Sequence, residues 1–258
     1  MATPLTAGPV YRPIRIRIAR LICGVLVRSI LRLRFEGRDR LPAGPAIYVS
    51  NHLNWVDPLI LLAVLPVRPK VAMFGPKEAD MALGGRNRLI VWTGISIPYR
   101  PAKTDLIETT RRVQRVLEEG WAIVIMGEGR IHRGERELLP LADGCAYFAL
   151  RSGVPVVPIA INGTSWLGFG RRVRVRVGMP IPAEGRATRE AVDALTARTS
   201  DSLSDLVADF ADPPPPGRFG RWLTELFNDW PEGARPELGA GDGAGTELAE
   251  RGAAPPAG

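Results

Sequence analysis

Asn51-His52-Leu53-Asn54-Trp55-Val56-Asp57-Pro58 places one of the chain's two histidines directly after an apolar run, Ala46-Ile47-Tyr48-Val49-Ser50. Such a run reads as a buried strand, so His52 falls at a strand's end. An imidazole can take a proton from a hydroxyl near neutral pH. A carboxylate beside it can orient the ring and favour the protonated form. Asp57 stands five positions after His52. Within one regular helix the two side chains would point about 140° apart. The pairing therefore needs a turn before Pro58 that brings Asp57 back toward the ring. Asp57-Pro58 also reads as a helix start, with Asp as N-cap and Pro at the first helical position. On that reading His52 is an ordinary loop residue.

Three further stretches follow in order: Gly94-Ile95-Ser96-Ile97-Pro98-Tyr99-Arg100; Gly127-Glu128-Gly129-Arg130 after the strand-like Trp121–Met126; and Val154-Pro155-Val156-Val157-Pro158 leading to Asn162-Gly163. An arginine matches phosphate oxygens in bidentate fashion, a glycine permits close backbone approach, and a carboxylate can pair with either arginine or accept from a hydroxyl. With the Asn-His-x4-Asp stretch, these blocks resemble the glycerolipid acyltransferases of the 1-acylglycerol-3-phosphate acyltransferase type, from about residue 34 to 180.

The resemblance implies transfer of a fatty acyl group from a thioester to a hydroxyl, with His52 as general base and Asp57 as its partner. It implies acceptor binding by Arg100, Glu128, Gly129 and Arg130. The co-substrates would be acyl-CoA or acyl-carrier protein and a lysophospholipid; no metal or cofactor is implied. Two departures stand out. Gly127 occupies the place of a proline, with Arg130 directly after Gly129. Leu141-Ala142-Asp143-Gly144 has Asp143 where the family often carries a lysine. A lysophospholipid of the 1-acylglycerol-3-phosphate type is the expected acceptor, and the second departure leaves an acceptor with a different headgroup, a glycolipid or aminolipid, as the alternative.

Apolar periodicity predicts the elements that would position these groups. Strands are expected near 46–50, 70–74, 95–98, 121–126, 154–161 and 172–177, and helices near 57–65, 103–119, 143–152 and 187–211. Their alternation predicts an α/β domain, a mixed sheet flanked by helices, in which ligands sit beyond the carboxyl ends of strands. Residues 10–34 hold seven arginines and no acid. Within them Ile14, Ile18, Leu21, Ile22, Val25, Leu26 and Ile30 recur at helical spacing. The reading is a basic amphipathic helix over 1–34 that contacts an anionic membrane surface.

The acyltransferase domain is then expected over 35–212, and a proline spacer with a short amphipathic helix over 213–230. Residues 231–258, rich in Gly, Ala, Pro and Glu, are expected to be disordered. In the short helix the stripe of Phe219, Trp222, Leu223 and Leu226 suits either docking on the domain or contact with lipid.

Composition narrows the function classes. A net charge of +7 and a pI near 10.1 point to anionic partners. Arg171–Arg176 alternates arginine with valine, as a strand with one wet face does, and no nucleic-acid signature accompanies it; nucleic acid is not the expected partner. Cys23 and Cys145 fall in different predicted elements and suggest no disulfide framework. No apolar run approaches the roughly 20 residues of a spanning helix. A peripheral or monotopic place on the cytoplasmic face of the cell membrane is the expectation. A catalytically silent lipid-binding protein, or a hydrolase or transacylase on the same scaffold, are the rival readings.

Overall fold

In the computed structural model, which describes residues 12–77, 92–99 and 106–226, the short apolar runs become the parallel centre of one sheet. They are β2 (Ile47–Ser50), β3 (Val71–Lys77), β4 (Ser96–Tyr99), β5 (Ala122–Met126) and β6 (Val156–Asn162). With β1 (Leu31–Glu36) and β7 (Arg171–Val177) they form a seven-stranded sheet of order β1-β7-β6-β2-β5-β3-β4. β2 to β6 run parallel; β7 pairs antiparallel with β6, and β1 parallel with β7. Every residue of β2 and β6 is buried. That is why these strands read as continuous apolar runs rather than as alternating ones. β7 alternates instead, with Val173, Val175 and Val177 buried and its arginines part-exposed or exposed.

Helices cover both faces. α1 (Pro13–Ile30) and α2 (Asp57–Val64) lie on one, where Ile16, Ala19, Cys23, Val27, Ile60 and Leu61 pack with Tyr48, Val124, Ile159 and Val175. α3 (Leu106–Glu118), α4 (Gly144–Ser152) and α5 (Arg189–Val207) lie on the other, where Val113, Val116, Phe148, Leu195 and Leu203 meet Ile47, Val49, Ile123 and Ile125. Ile47 and Val49 serve one core and Tyr48 the other, as the two-residue strand period requires. α6 (Arg218–Glu225) joins the first face, through Leu223. The mixed α/β architecture is the one anticipated.

Two boundaries differ. Leu31–Arg34, read as the end of the first helix, are the start of β1, which pairs with β7 from Leu31↔Arg171 onward. The alternation Leu-Arg-Leu-Arg-Phe-Glu carries that strand signal, but an uninterrupted basic-apolar run conceals where helix gives way to strand. The division anticipated at 34/35 thus falls inside a strand of the common sheet. Residues 227–258, with the tail expected to be disordered, lie outside the described residues.

α1 is apolar on two sides. Ile16, Ala19, Cys23 and Val27 are buried against the domain, whereas Ile14, Ile18, Leu21, Ile22, Val25 and Leu26 are each between 42% and 72% exposed. The stripe singled out by spacing is therefore the outward face. No helix among the described residues is long and apolar enough to cross a membrane.

The connection from β6 to β7 begins at Gly163, with φ of +90°; a Cβ there would lie 2.0 Å from the Arg172 carbonyl oxygen. Only glycine combines that backbone angle with such an approach. Gly163→Ala is expected to destabilise the fold by roughly 1–3 kcal/mol or more, seen as a lower urea midpoint. An unchanged midpoint would contradict the packing described here.

Candidate active site

β2 and β5 are parallel neighbours, so their carboxyl ends open on the same edge of the sheet. Asn51 makes the exit from β2 rigid. Its buried side chain donates to the Ile161 carbonyl (2.8 Å) and accepts the Ile161 N–H (2.8 Å), forming an extra rung onto β6. The His52 N–H then donates to Glu128 Oε2 at 2.6 Å, and the His52 carbonyl accepts the His132 N–H at 3.1 Å. The loop that carries His52 is thus held by the Asn51 side chain and by both polar backbone groups of His52.

The Asp57 N–H donates to the Asn54 carbonyl at 3.1 Å, closing a tight turn before α2. This turn brings the Asp57 carboxylate back to the loop. Oδ2 accepts from Leu53 N–H (2.7 Å) and Asn54 N–H (2.8 Å) and lies 3.0 Å from His52 Nδ1. Asp57 is the first residue of α2, and Val56 holds the N-cap position with no side-chain cap. The carboxylate points backward to the histidine rather than forward onto the helix. A helix does start here, but one residue earlier than the reading of Asp57 as N-cap and Pro58 as first helical residue: Val56 is the N-cap, and the Asp57 side chain is turned to His52 instead of capping the helix.

Asp57 is wholly buried and the His52 side chain 17% exposed. An ionised carboxylate can only accept, so Nδ1 carries the proton toward Asp57 and Nε2 keeps its lone pair. The arrangement offers a fixed, reachable basic nitrogen at the sheet edge.

The Glu128 carboxylate has no exposed surface. Besides the His52 N–H, it accepts the Leu139 N–H on Oε1 at 2.9 Å. His132 Nε2 approaches the same oxygen to 2.8 Å without hydrogen-bond alignment. Its present partners are thus the protein's own loops. Gly127 N–H donates to the Ser50 carbonyl at 2.8 Å, a bond that a proline in its place could not make. Gly129 turns with φ of +67°, and it and Arg130 are exposed beside the site. β4 brings the chain to the same edge at Tyr99; Arg100 lies outside the described residues. Asp143 pairs with Arg189 of α5 at 3.0 Å.

Sequence reasoning missed Glu135. It is fully buried and accepts from Gly163 N–H (2.6 Å), Ser165 N–H (3.0 Å) and Ser165 Oγ (2.6 Å), while its carbonyl accepts from Asn162 Nδ2 (2.6 Å). It ties the loop after β5 to the connection after β6. In sequence it is one acid in a polar loop, indistinguishable from a solvated one. Burial pushes its carboxyl up from the ordinary 4.5, and the Asp57 charge adds to that, against the opposing hydrogen bonds from Ser165 and Gly163.

A family model described as Acyltransferase matches residues 32–162, half of the chain. Human 1-acyl-sn-glycerol-3-phosphate acyltransferase beta is 31% identical over 156 residues, covering 56% of this chain and 53% of the human one. The 1-acyl-sn-glycerol-3-phosphate acyltransferase of Haemophilus influenzae is 27% identical over 219 residues, covering 78% of this chain and 88% of that one. The crystal structure of the 1-acyl-sn-glycerophosphate acyltransferase of Thermotoga maritima shares the fold, with a TM-score of 0.58 at 17% identity over 77% of this chain and 81% of that one. This protein belongs to the Acyltransferase family. It spans 53% and 62% of the length of the human beta and alpha relatives.

A glutamate whose folded pKa is raised holds more protons folded than unfolded between the two values. Its contribution is complete below about 4.5 and is lost as pH rises through the folded value. The stability of the wild type relative to Glu135→Gln should therefore fall as pH rises above about 4.5, then level off. Paired urea titrations across that range check the slope; a difference that grows with pH would reverse the assignment.

Proposed function

We propose that this chain transfers a fatty acyl group from a thioester, acyl-CoA or acyl-carrier protein, to the free hydroxyl of a lysophospholipid of the 1-acylglycerol-3-phosphate type at a membrane surface. The observation that carries the reading is the 3.0 Å contact of His52 Nδ1 with a buried Asp57, beside an Nε2 left open at the sheet edge. Family membership and the named relatives support the reaction class.

A hydroxyl is a weak nucleophile at neutral pH. His52 Nε2 takes its proton as the oxygen attacks the thioester carbonyl, and Asp57 stabilises the imidazolium that forms. Collapse of the tetrahedral intermediate breaks the C–S bond. The departing sulfur takes the proton from Nε2, leaving ester, free thiol and neutral imidazole. The acceptor's hydroxyl stands where a serine would in a triad, so no acyl-enzyme is required. Arg100 and Arg130 are assigned to the acceptor phosphate, and Gly129 to the close approach of backbone beside it. Glu128 is assigned to holding the His52 backbone in place.

The exposed apolar face of α1, with Arg12, Arg17 and Arg28 exposed along it, is assigned to the surface of an anionic bilayer. A second reading concerns the acceptor. Asp143 stands where the family often has a lysine and pairs with Arg189. One basic contact is therefore replaced by a surface ion pair, which leaves a glycolipid or aminolipid headgroup as the alternative.

The deciding experiment is transfer of a labelled acyl group from a thioester to a panel of lysolipids and glycolipids, with thiol release followed separately. His52→Ala should lower turnover by about 10²–10⁴-fold; equal turnover in the variant would remove His52 from the mechanism. Thiol release without acyl transfer would point to hydrolysis. Replacing Leu21 and Val25 by Gln, both on the outward face of α1, should weaken binding to anionic vesicles without altering the melting temperature. Unchanged vesicle affinity would end the assignment of that face. Substitution is preferable to removal of residues 1–34, because α1 and β1 contribute buried side chains to the core.

A further inference from the structure

α6 divides the stripe read from its sequence into two faces. Inward, Leu223 packs against the α1 and α2 core, and Thr224 Oγ1 accepts the Leu167 N–H at 2.8 Å. The Leu223 carbonyl accepts from Trp55 Nε1 at 3.1 Å. Trp55 belongs to the same short loop as His52, whose Leu53 and Asn54 N–H groups hold Asp57. α6 is thus tied directly to the loop that carries the proposed base.

Outward, Phe219 and Trp222 are 52% and 55% exposed, and Phe169, from the connection between β6 and β7, is 73% exposed. These rings form one cluster: Phe169 stacks on Phe219 with centroids 5.7 Å apart, and Phe219 contacts Trp222 at 5.7 Å. Gly170, next to Phe169, donates its N–H to the Ile30 carbonyl at the end of α1. The cluster therefore sits beside the terminus of the helix whose outer face is also apolar.

Three touching aromatic rings left in water on one small helix and one loop mark an interaction surface rather than scatter. Their rim selects the partner. Arg218, next to Phe219, is exposed; Arg171 and Arg221, both part-exposed, donate to the Pro214 and Pro216 carbonyls of the segment leading into α6. Aromatic rings with an arginine rim suit the interfacial zone of an anionic bilayer, where amphipathic rings sit at headgroup level and guanidinium groups meet phosphate.

We propose that Phe169, Phe219 and Trp222 form a second lipid-docking surface, distinct from α1, that seats the His52 loop against an anionic phospholipid bilayer. The inference rests on the reading that the chain works at a membrane surface. It adds which part of the molecule sets the site's height over that surface. With α1 alone, the domain can pivot about one helix; a second contact beside the site removes that freedom. A lysolipid then reaches His52 without leaving the interface.

The test uses the full chain, with Phe219 and Trp222 replaced together by Ser. Melting temperature and circular dichroism establish that the fold is retained, as expected for outward side chains. Sedimentation with phosphatidylglycerol-containing vesicles should show binding weakened by about 30-fold, the order expected when two large apolar groups lose their insertion. Brominated lipids should quench wild-type tryptophan fluorescence, with a component that disappears in Trp222→Phe.

Turnover of a short-chain, freely soluble acceptor should be unchanged in the Ser variant, while turnover of a bilayer-embedded one falls. Unchanged vesicle binding and quenching, with the α1 variant still impaired, would overturn the second surface and leave membrane action standing. No vesicle binding by the wild type itself would overturn the membrane reading and this inference with it. A wild-type dimer that dissociates in the Ser variant would assign the cluster to a second copy of the chain instead.

Discussion

One carboxylate oxygen organises the site. Asp57 Oδ2 receives Leu53 N–H, Asn54 N–H and His52 Nδ1 within 3.0 Å, in a wholly buried position. Two of these contacts are to backbone, so the oxygen shapes the turn and orients the ring together. A buried carboxylate is costly unless its hydrogen bonds are satisfied. Here the groups that satisfy Oδ2 are the ones the proposed chemistry would need in place. The turn, the tautomer and the outward Nε2 therefore stand or fall as a unit.

Around that unit the loops are braced by side chains acting on backbone. Glu128 holds His52 N–H and Leu139 N–H, Asn51 pairs with both polar groups of Ile161, and Glu135 holds Gly163 and Ser165. Side chains that bond backbone in this way suit loops that must be positioned without strands of their own. Three carboxylates lie buried at one sheet edge, and the crowding is visible in Glu135, whose carboxyl is pushed up by burial and by the Asp57 charge.

The same face of the sheet that carries α1 and α2 carries the exposed apolar surface. α1 buries one side and exposes another, and α6 does likewise over a much shorter length. A helix apolar on both sides is costly to leave in water, and on the proposed reading a bilayer beneath α1 and the aromatic cluster would relieve that cost. The basic excess of the chain, +7 overall, then complements the anionic surface with which the proposed chemistry would meet its lipid.

Much of this was legible in the sequence. The apolar runs at 47–50, 122–126 and 156–162 became the buried strands, and His52 and Glu128 were visible as polar groups just beyond strand ends, with Asp57 at a helix start. The β1 strand was hidden because an Arg-Leu alternation continues smoothly out of a basic helix. Glu135 was hidden because a brace in a polar loop has no local pattern.

By itself the sequence determined which groups could do chemistry and which segments would be buried, since both depend on neighbours along the chain. Only the tertiary structure decided what those groups touch. His52 meets Glu128 across 76 positions, Asn51 meets Ile161 across 110, and Trp55 meets Leu223 across 168. The first two pairs come together only when parallel strands align their ends, and the third only when α6 docks against the α1 and α2 face. The faces of α1 and α6 were decided in the same way, because a helical stripe says that a side is apolar and not whether protein or solvent lies against it.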